Sequence, residues 1–335
     1  MLACAWLALP ARAAYVNGHS YVALADWAAA NHFSVSRNRR GDEFTVSSRS
    51  ARLIFDKDSN IVELNGVNVA LSFPLAVDRG TPLVSQLDLA KTISPLINPA
   101  RSSARRITTI CLDPGHGGKD TGNHVGSHYE KIYTLALAQE LREELKAAGF
   151  QVMLTRSQDE YVDLAERPNQ ANRRGADLFV SLHFNASPAD ASHVHGPETY
   201  CITPVGASSS NAQGEGANHG ATPANRVESK SLLLAYQVQR SLVKNLDTED
   251  RNVRRARFAV LRDAEMPAIL IESGYMTHPV EGRRIFDAGY RRQIAGAIVK
   301  GILNYQKLTS PGTRTTMVAA TKVSNPNKTN SRPKP

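Results

Sequence analysis

The sequence predicts an α/β protein: a large domain with a mostly parallel central sheet, preceded by a small α+β repeat module. Three observations carry this. From Ile107 onward, short apolar runs alternate with stretches of helical periodicity. Residues 15–98 instead break into short strand-like runs separated by Gly and Asn turns. Between the two lies NPARSSARR, polar, basic and Pro-containing, which reads as a linker over 99–106.

The elements follow in order. Residues 1–14, MLACAWLALPARAA, form a short apolar run ending in small residues, as at the end of a secretory signal. A buried N-terminal strand is the alternative. In 15–98 the strand signals are YVNGHSYVAL, EFTVSS, ARLIFD, IVELNGVNVAL and PLVS, and Asn65-Gly66 marks a hairpin. A weak internal repeat aligns Gly18–Ala28 with Gly80–Ala90, each a turn, a short strand and a helix start. Beyond the linker, ITTICL is a strand. Glu130 to Ala148 is an amphipathic helix with Ile132, Leu135, Leu141 and Leu145 on or near one face and Gly149 as its stop. FQVMLTR is a strand, and DLAERPNQANRRG is helical in part, with Pro168 near its start. ADLFVSLHF and PETYCIT are strands, and Gly206 to Asn225 is a polar loop. Ser229 to Leu246 is a helix, AILIES a strand, and Tyr290 to Tyr305 a closing helix. The domain ends at 308, and 309–335 has no apolar periodicity and reads as a disordered basic tail.

Composition narrows the function classes. The 335 residues are 41% hydrophobic and 21% charged, with a formal charge of +9. That sign points to an anionic partner, but five of the cations (Arg314, Lys322, Lys328, Arg332, Lys334) sit in the tail, where no acid accompanies them. No cluster of stacking aromatics accompanies the charge, so nucleic acid is not expected as a partner. No stretch is long enough to span a membrane. The three cysteines, Cys4, Cys111 and Cys201, lack the paired spacing of a zinc ribbon or a redox pair. Cys111 and Cys201 fall in apolar strands, as free thiols or, in an exported chain, as a bridge.

Three apolar runs end in a residue capable of chemistry: His116 after ITTICLDPG, His183 in DLFVSLH and Glu272 in AILIE. Ligands of open α/β sheets bind beyond the carboxyl ends of the strands. Glu130, at a predicted helix start after a Gly-rich loop, can reach the same edge. Two imidazoles and a carboxylate are the ligand set of a catalytic zinc with one open position. Gly115, Gly117 and Gly118 around His116 would leave room for metal and substrate. Each residue also has a structural reading: a polar loop histidine, a helix-dipole glutamate, a glutamate paired with arginine.

The motifs DPGHGGKDTG, EKIYTLALAQELREELKAAGFQVMLTR, YVDLAERPNQANRRGADLFVSLHFNA, GPETY and MPAILIESGYMTHPVE, in this order over 107–306, resemble the zinc-dependent N-acetylmuramoyl-L-alanine amidases of the type-3 family. The resemblance implies a mixed, mainly parallel six-stranded sheet with helices on both faces. It implies Zn2+ held by His116, Glu130 and His183, with Glu272 as the catalytic glutamate. It further implies cleavage of the amide between N-acetylmuramic acid and L-alanine, so peptidoglycan is the partner and the protein is exported to the periplasm or cell envelope, as a monomer. Glu198 in GPETY matches a recurrent carboxylate, substrate-orienting or structural. Residues 15–98 resemble the small module related to the N-terminal domain of copper amine oxidases, a wall-binding or spacing unit with no implied copper. Two positions depart from the family: Tyr275 and His278 stand where Phe and Asn are usual. His278, the pair His193 and His195, and His124 and His128 are expected to lie outside the metal site, and Arg167 and Asn172 to hydrogen-bond within the fold. The resemblance places a cleft-plugging helix, where members carry one, between Ile202 and Ser231, and the stretch Gly206 to Asn225 within it is too poor in large apolar residues to anchor such a helix. Two alternatives remain: a zinc peptidase gripping a carboxylate with Arg254, Arg255, Arg257 or Arg262, and a catalytically silent wall-binding protein.

Overall fold

Three two-residue turns organise the first ninety residues. Asn17-Gly18, Asn65-Gly66 and Arg79-Gly80 all have positive φ at both positions, the geometry that lets a tight turn follow the twist of a hairpin. The structure is a computed structural model describing residues 13–100, 106–210 and 220–310. Most of the signal-like segment, residues 101–105 of the linker, 211–219 of the polar loop and 311–335 of the tail lie outside the described residues.

The first turn joins β1 (Ala13–Val16) to β2 (His19–Ala23), which leads into α1 (Leu24–Ala30). Strands β3 (Ser34–Arg37), β4 (Glu43–Ser47), β5 (Arg52–Asp56), β6 (Ile61–Leu64) and β7 (Val67–Ala70) follow as an antiparallel meander. The third turn joins β8 (Ala76–Asp78) to β9 (Thr81–Ser85), which leads into α2 (Gln86–Asp88) and, after an irregular turn, α3 (Ser94–Ile97). The repeat seen in sequence is a local two-fold: β2 pairs antiparallel with β9, and the repeat-equivalent Val22 and Val84 face each other. Ser85 caps Asp88, whose buried carboxylate accepts from the amides of Ser72 and Phe73.

The second part runs β10 (Thr109–Pro114), the small hairpin β11 (His124–Val125) and β12 (His128–Tyr129), α4 (Glu130–Ala147), β13 (Gln151–Leu154), α5 (Glu166–Arg173), β14 (Leu178–Asn185) and β15 (Glu198–Cys201). It closes with α6 (Glu228–Leu246), β16 (Val253–Arg255), α7 (Ala259–Arg262), β17 (Ala268–Tyr275), α8 (Glu281–Phe286) and α9 (Ala288–Thr309). Its strands stand in the order β13-β10-β14-β17-β15-β16, parallel except for β15 against β17. This is the mixed, mainly parallel six-stranded sheet. Helices α4, α6 and α9 cover one face, while α5 and α7 pack over Cys111, Phe179 and Leu270 on the other.

The sheet does not stop there. Val253 of β16 pairs with Val69 of β7, and the meander extends the same sheet to eleven strands. Asp250 accepts from the amide of Asn68 at 2.7 Å, and the Tyr236 hydroxyl donates to the Leu64 carbonyl at 3.0 Å. One apolar core runs without a break from Phe44 and Leu53 through Leu234 to Ile298.

Helix α4 shows where pattern reading slips. Its buried stripe is Glu130, Thr134, Leu137, Ala138, Leu141 and Leu145, at helical spacing, whereas Ile132 points outward and is 49% exposed. The polar Glu130 and Thr134 hold the inward face because the site is built there. Gly149, in left-handed conformation, ends the helix as expected.

The bend after β10 rests on buried charge. Asp113, wholly buried, accepts from Thr155 Oγ1 at 2.6 Å, Ser181 Oγ at 2.7 Å and Arg167 Nη1 at 2.8 Å. Arg167 and Arg156 donate to the carbonyls of Pro114, Gly115 and His116. These bonds hold His116 at φ +62°, a conformation that a residue with a side chain rarely adopts. Removing one partner of a buried ion pair leaves the other charge uncompensated. Asp113→Ala is therefore expected to cost about 3–5 kcal/mol, read as a fall in the denaturant midpoint; a loss under about 1 kcal/mol would contradict this account of the bend.

Candidate active site

Strand register brings the site together. His183 of β14 stands opposite Glu272 of β17, and Glu272 stands opposite Glu198 of β15. Directly opposed residues on neighbouring strands share a face, so the three form a row across the carboxyl edge. His116 follows the end of β10, and the β11–β12 hairpin returns the chain so that Glu130 opens α4 beside it. The Glu130 amide donates to the Asn123 carbonyl at 2.8 Å.

Glu130 is the hub. Its Oε2 lies 3.1 Å from His116 Nε2 and its Oε1 lies 3.0 Å from His183 Nδ1. The same oxygens accept from the amides of Asn123 and Phe184 and from Asn123 Nδ2. One ligand-capable atom from each of His116, Glu130 and His183 falls within 4.8 Å of the others. His116 Nδ1 lies 2.9 Å from Asp120 Oδ2, which leaves Nε2 turned toward Glu130. Burial would raise the Glu130 carboxyl, but the hydrogen bonds and charge of His116 and His183 outweigh it and hold it well below the usual carboxylate range. Burial also works against protonating His116, yet Glu130 and Asp120 win and raise its pKa.

Glu272 is the opposite case. The residue is half-buried, but its Oε2 is shut off from solvent and has no hydrogen-bond partner among the described residues. Burial, with the charges of Glu130 and Glu198 added, pushes its carboxyl well above the usual range. A buried polar atom left unpaired is costly, and in native proteins it marks a functional position or a missing ligand. All four side chains line one cleft of about 300 Å³, walled by Asn123, Leu164, Phe258, Ala259, Val260 and Leu270. Two imidazoles, an ionised carboxylate and a second carboxyl with an unpaired oxygen fit a metal with water and substrate beside it.

Residues 110–304 match the family described as N-acetylmuramoyl-L-alanine amidase. The chain belongs to this amidase family. It is 30% identical over 277 residues to the N-acetylmuramoyl-L-alanine amidase LytC of Bacillus subtilis, covering 80% of this chain and 49% of LytC, so it spans about half the length of that relative. It is 32% identical over 248 residues to the amidase AmiA of Escherichia coli, covering 66% of this chain and 84% of AmiA. Among solved structures it resembles the N-acetylmuramoyl-L-alanine amidase of Clostridium difficile 630, with 33% identity, a TM-score of 0.50, and coverage of 61% of this chain and 98% of that one.

Within this amidase fold the other predicted residues take different places. Glu198 accepts from Asn185 Nδ2 at 2.6 Å, Arg254 Nη1 at 2.7 Å and the Tyr275 hydroxyl at 3.2 Å. Tyr275, where the resemblance leads one to expect Phe, thus supplies a bond to Glu198. His278 Nδ1 accepts from the Glu281 amide at the start of α8. His193 is tied to Asp190, and the His195 ring lies 4.9 Å from that of His278, so the H-x-H pair does not converge on a metal. His128, expected outside the metal site, bonds the Tyr133 hydroxyl and stacks on Phe286.

The glycines divide by task. A Cβ on Gly115 would come within 2.2 Å of the His183 ring, so this glycine makes room for a site residue. Cβ atoms on Gly117 and Gly118 would strike the backbone of Glu160 and Tyr161 instead. They seat the loop on its neighbour rather than open it to substrate. Gly122, not singled out from sequence, packs against Glu130 and His116.

Sequence reasoning missed Asp120, Asn123 and Asn185, all polar residues near a ligand but without an obvious role. None of Arg254, Arg255, Arg257 and Arg262 lines the cleft. Arg254 is committed to Glu198, and Arg255 to the carbonyls of Ile202 and Lys91. Cys111 and Cys201 are free and buried, and burial pushes the Cys111 thiol up to about 12. No described helix is long and apolar enough to cross a membrane. Of 202–231, no described residue lines the cleft, and 211–219 lies outside the described residues.

Proposed function

We propose that this chain is a zinc-dependent N-acetylmuramoyl-L-alanine amidase that hydrolyses the amide between the lactyl group of N-acetylmuramic acid and L-alanine in peptidoglycan. The observation that carries the reading is the meeting of His116, Glu130 and His183 with the unpaired Glu272 in one cleft. The substrate lies outside the cytoplasmic membrane, so the reading places the protein in the cell envelope. Residues 15–98 are read as its wall-binding module.

His116, Glu130 and His183 would hold the metal. A zinc ion bound there supplies Lewis acidity that polarises an amide carbonyl and makes water nucleophilic near neutral pH. Asp120 fixes the proton of His116 on Nδ1 and frees Nε2 as a ligand. The amides of Asn123 and Phe184 keep the Glu130 carboxylate oriented. The Glu272 carboxylate, which lines the cleft, takes the proton from the attacking water and returns it to the leaving nitrogen of L-alanine. Its raised pKa suits it to carry that proton between the two steps. Leu164, Phe258 and Val260 exclude bulk water from the reacting atoms.

The test is digestion of intact peptidoglycan with mass spectrometry of the released fragments. Free stem peptides beginning at L-alanine are expected. Fragments cut inside the stem would establish a peptidase instead, and no release from a zinc-loaded sample would leave a wall-binding protein. Gly115→Ala tests the geometry: the new Cβ displaces the His183 ring. Zinc affinity, read by competition with a fluorescent chelator, is expected to fall about 10- to 100-fold, as when a ligand loses its support; unchanged affinity would mean that His183 is not a ligand.

A further inference from the structure

A second groove in the described residues lies away from this cleft. It holds about 620 Å³ between α6 and α9 and is lined by Gln237, Arg240, Ser241, Lys244, Asn245, Lys300, Leu303, Asn304, Lys307 and Leu308. Four of these are cations and none is an acid. All four cations are exposed. The Lys300 ammonium donates to Asn245 Oδ1 at 2.7 Å, and none of the four makes an ion pair among the described residues.

The groove is preformed. The Ser241 hydroxyl donates to the Ala297 carbonyl at 2.7 Å, and a Cβ on Gly301 would meet Val238 Cα at 2.6 Å, so the two helix backbones touch beneath it. Its position is fixed by Gln306, which donates to the Ile107 carbonyl just before β10. His116 follows the other end of that six-residue strand, which spans about 20 Å. The groove therefore opens at the edge of the sheet opposite the catalytic cluster and is not an extension of it.

We propose that this groove binds a linear polyol phosphate polymer, a chain of phosphodiesters carrying hydroxyls and no aromatic base. Cations stand on both walls: Arg240 and Lys244 one turn apart, about 6 Å, on α6, and Lys300 and Lys307 two turns apart, about 10.5 Å, on α9. A concave groove charged on both walls suits a strand laid along it, whereas a bilayer meets a flat face. Three of the four cations are lysines, compact charges that bind phosphate without needing the planar pairing of a carboxylate. Asn304, exposed in the groove, offers an amide group to hydroxyls, and Leu303 offers a small apolar wall. No aromatic lines the groove, so it lacks the stacking platforms of single-stranded nucleic-acid sites. The five cations of the tail share the sign of the groove, which argues against the tail as its occupant.

The test does not use hydrolysis, so it stands or falls apart from the reading of the catalytic cleft. Binding of the full chain to poly(glycerol phosphate) is measured by calorimetry, beside single-stranded DNA, poly-glutamate and vesicles containing phosphatidylglycerol. Lys300→Glu with Lys307→Glu is expected to weaken polymer binding at least about tenfold, since attraction becomes repulsion at two positions. The matched pair Lys322→Glu with Lys328→Glu, in the tail, is expected to change it less than about twofold. Lys244→Ala with Lys300→Ala, which removes charge without reversing it, is expected to weaken binding about fivefold, and it answers the question if the reversal disturbs folding. Equal losses from groove and tail, no loss from the groove, or preference for DNA, poly-glutamate or vesicles over the polymer would overturn the proposal.

Discussion

Glu272→Gln is expected to keep the fold and the bound zinc and to lower hydrolysis of peptidoglycan by about a thousandfold, within the range attributed to a positioned general acid–base. The substitution is nearly isosteric and neutral. It removes no bond in the ground state, because Glu272 Oε2 has no partner among the described residues. It also removes the repulsion that Glu130 and Glu198 exert on a third carboxyl. The variant should therefore be at least as stable as the parent while nearly inactive. Stability up and activity down is the signature of a strained functional residue, and a merely structural glutamate would not give it. The check pairs a thermal melt with initial rates at equal zinc content. Retained activity would remove Glu272 from the mechanism.

His183→Ala is expected to reduce zinc affinity by more than about a hundredfold, beyond what loss of a supporting partner costs, and to abolish hydrolysis at ordinary zinc concentrations. The reason lies in the arrangement around Glu130. His183 Nδ1 and the Phe184 amide meet the same carboxylate oxygen, so removal of the ring takes away a proposed ligand and frees Glu130 to turn. Zinc content after dialysis, measured beside the rate, checks this. A variant that still retains one zinc per chain would place the ion elsewhere.

What the sequence made legible was whatever lies within one strand or one helix turn of a motif. The His116 loop, the opening of α4 at Glu130, the end of β14 at His183 and β17 at Glu272 all read directly, because the fold places the carboxyl ends of parallel strands along one edge. The internal repeat was legible too, and its meaning, a two-fold through Val22 and Val84, needed only the pairing of β2 with β9.

Long-range pairings were not legible. Nothing local in VNVA says that β7 will meet β16, far along the chain, and fuse the first module into one eleven-stranded sheet. Ile132 was assigned inward because it is apolar, but the inward stripe of α4 was already taken by Glu130 and Thr134 for the site. Asp113 sits in the most recognisable motif of the chain, yet its task, anchoring Arg167, Thr155 and Ser181, depends on three distant segments. The groove between α6 and α9 has no motif at all. Its cations are spread over two helices that the sequence separates by more than one strand.

The most direct test of the account is a zinc titration of metal-free protein in which bound zinc and the rate of stem-peptide release are followed on the same sample. The account predicts no release without metal, a rate that rises in proportion to bound zinc and levels at one ion per chain, and no such rise in His116→Ala, Glu130→Gln or His183→Ala. Full release from the metal-free protein, or an undiminished zinc response in all three variants, would contradict it.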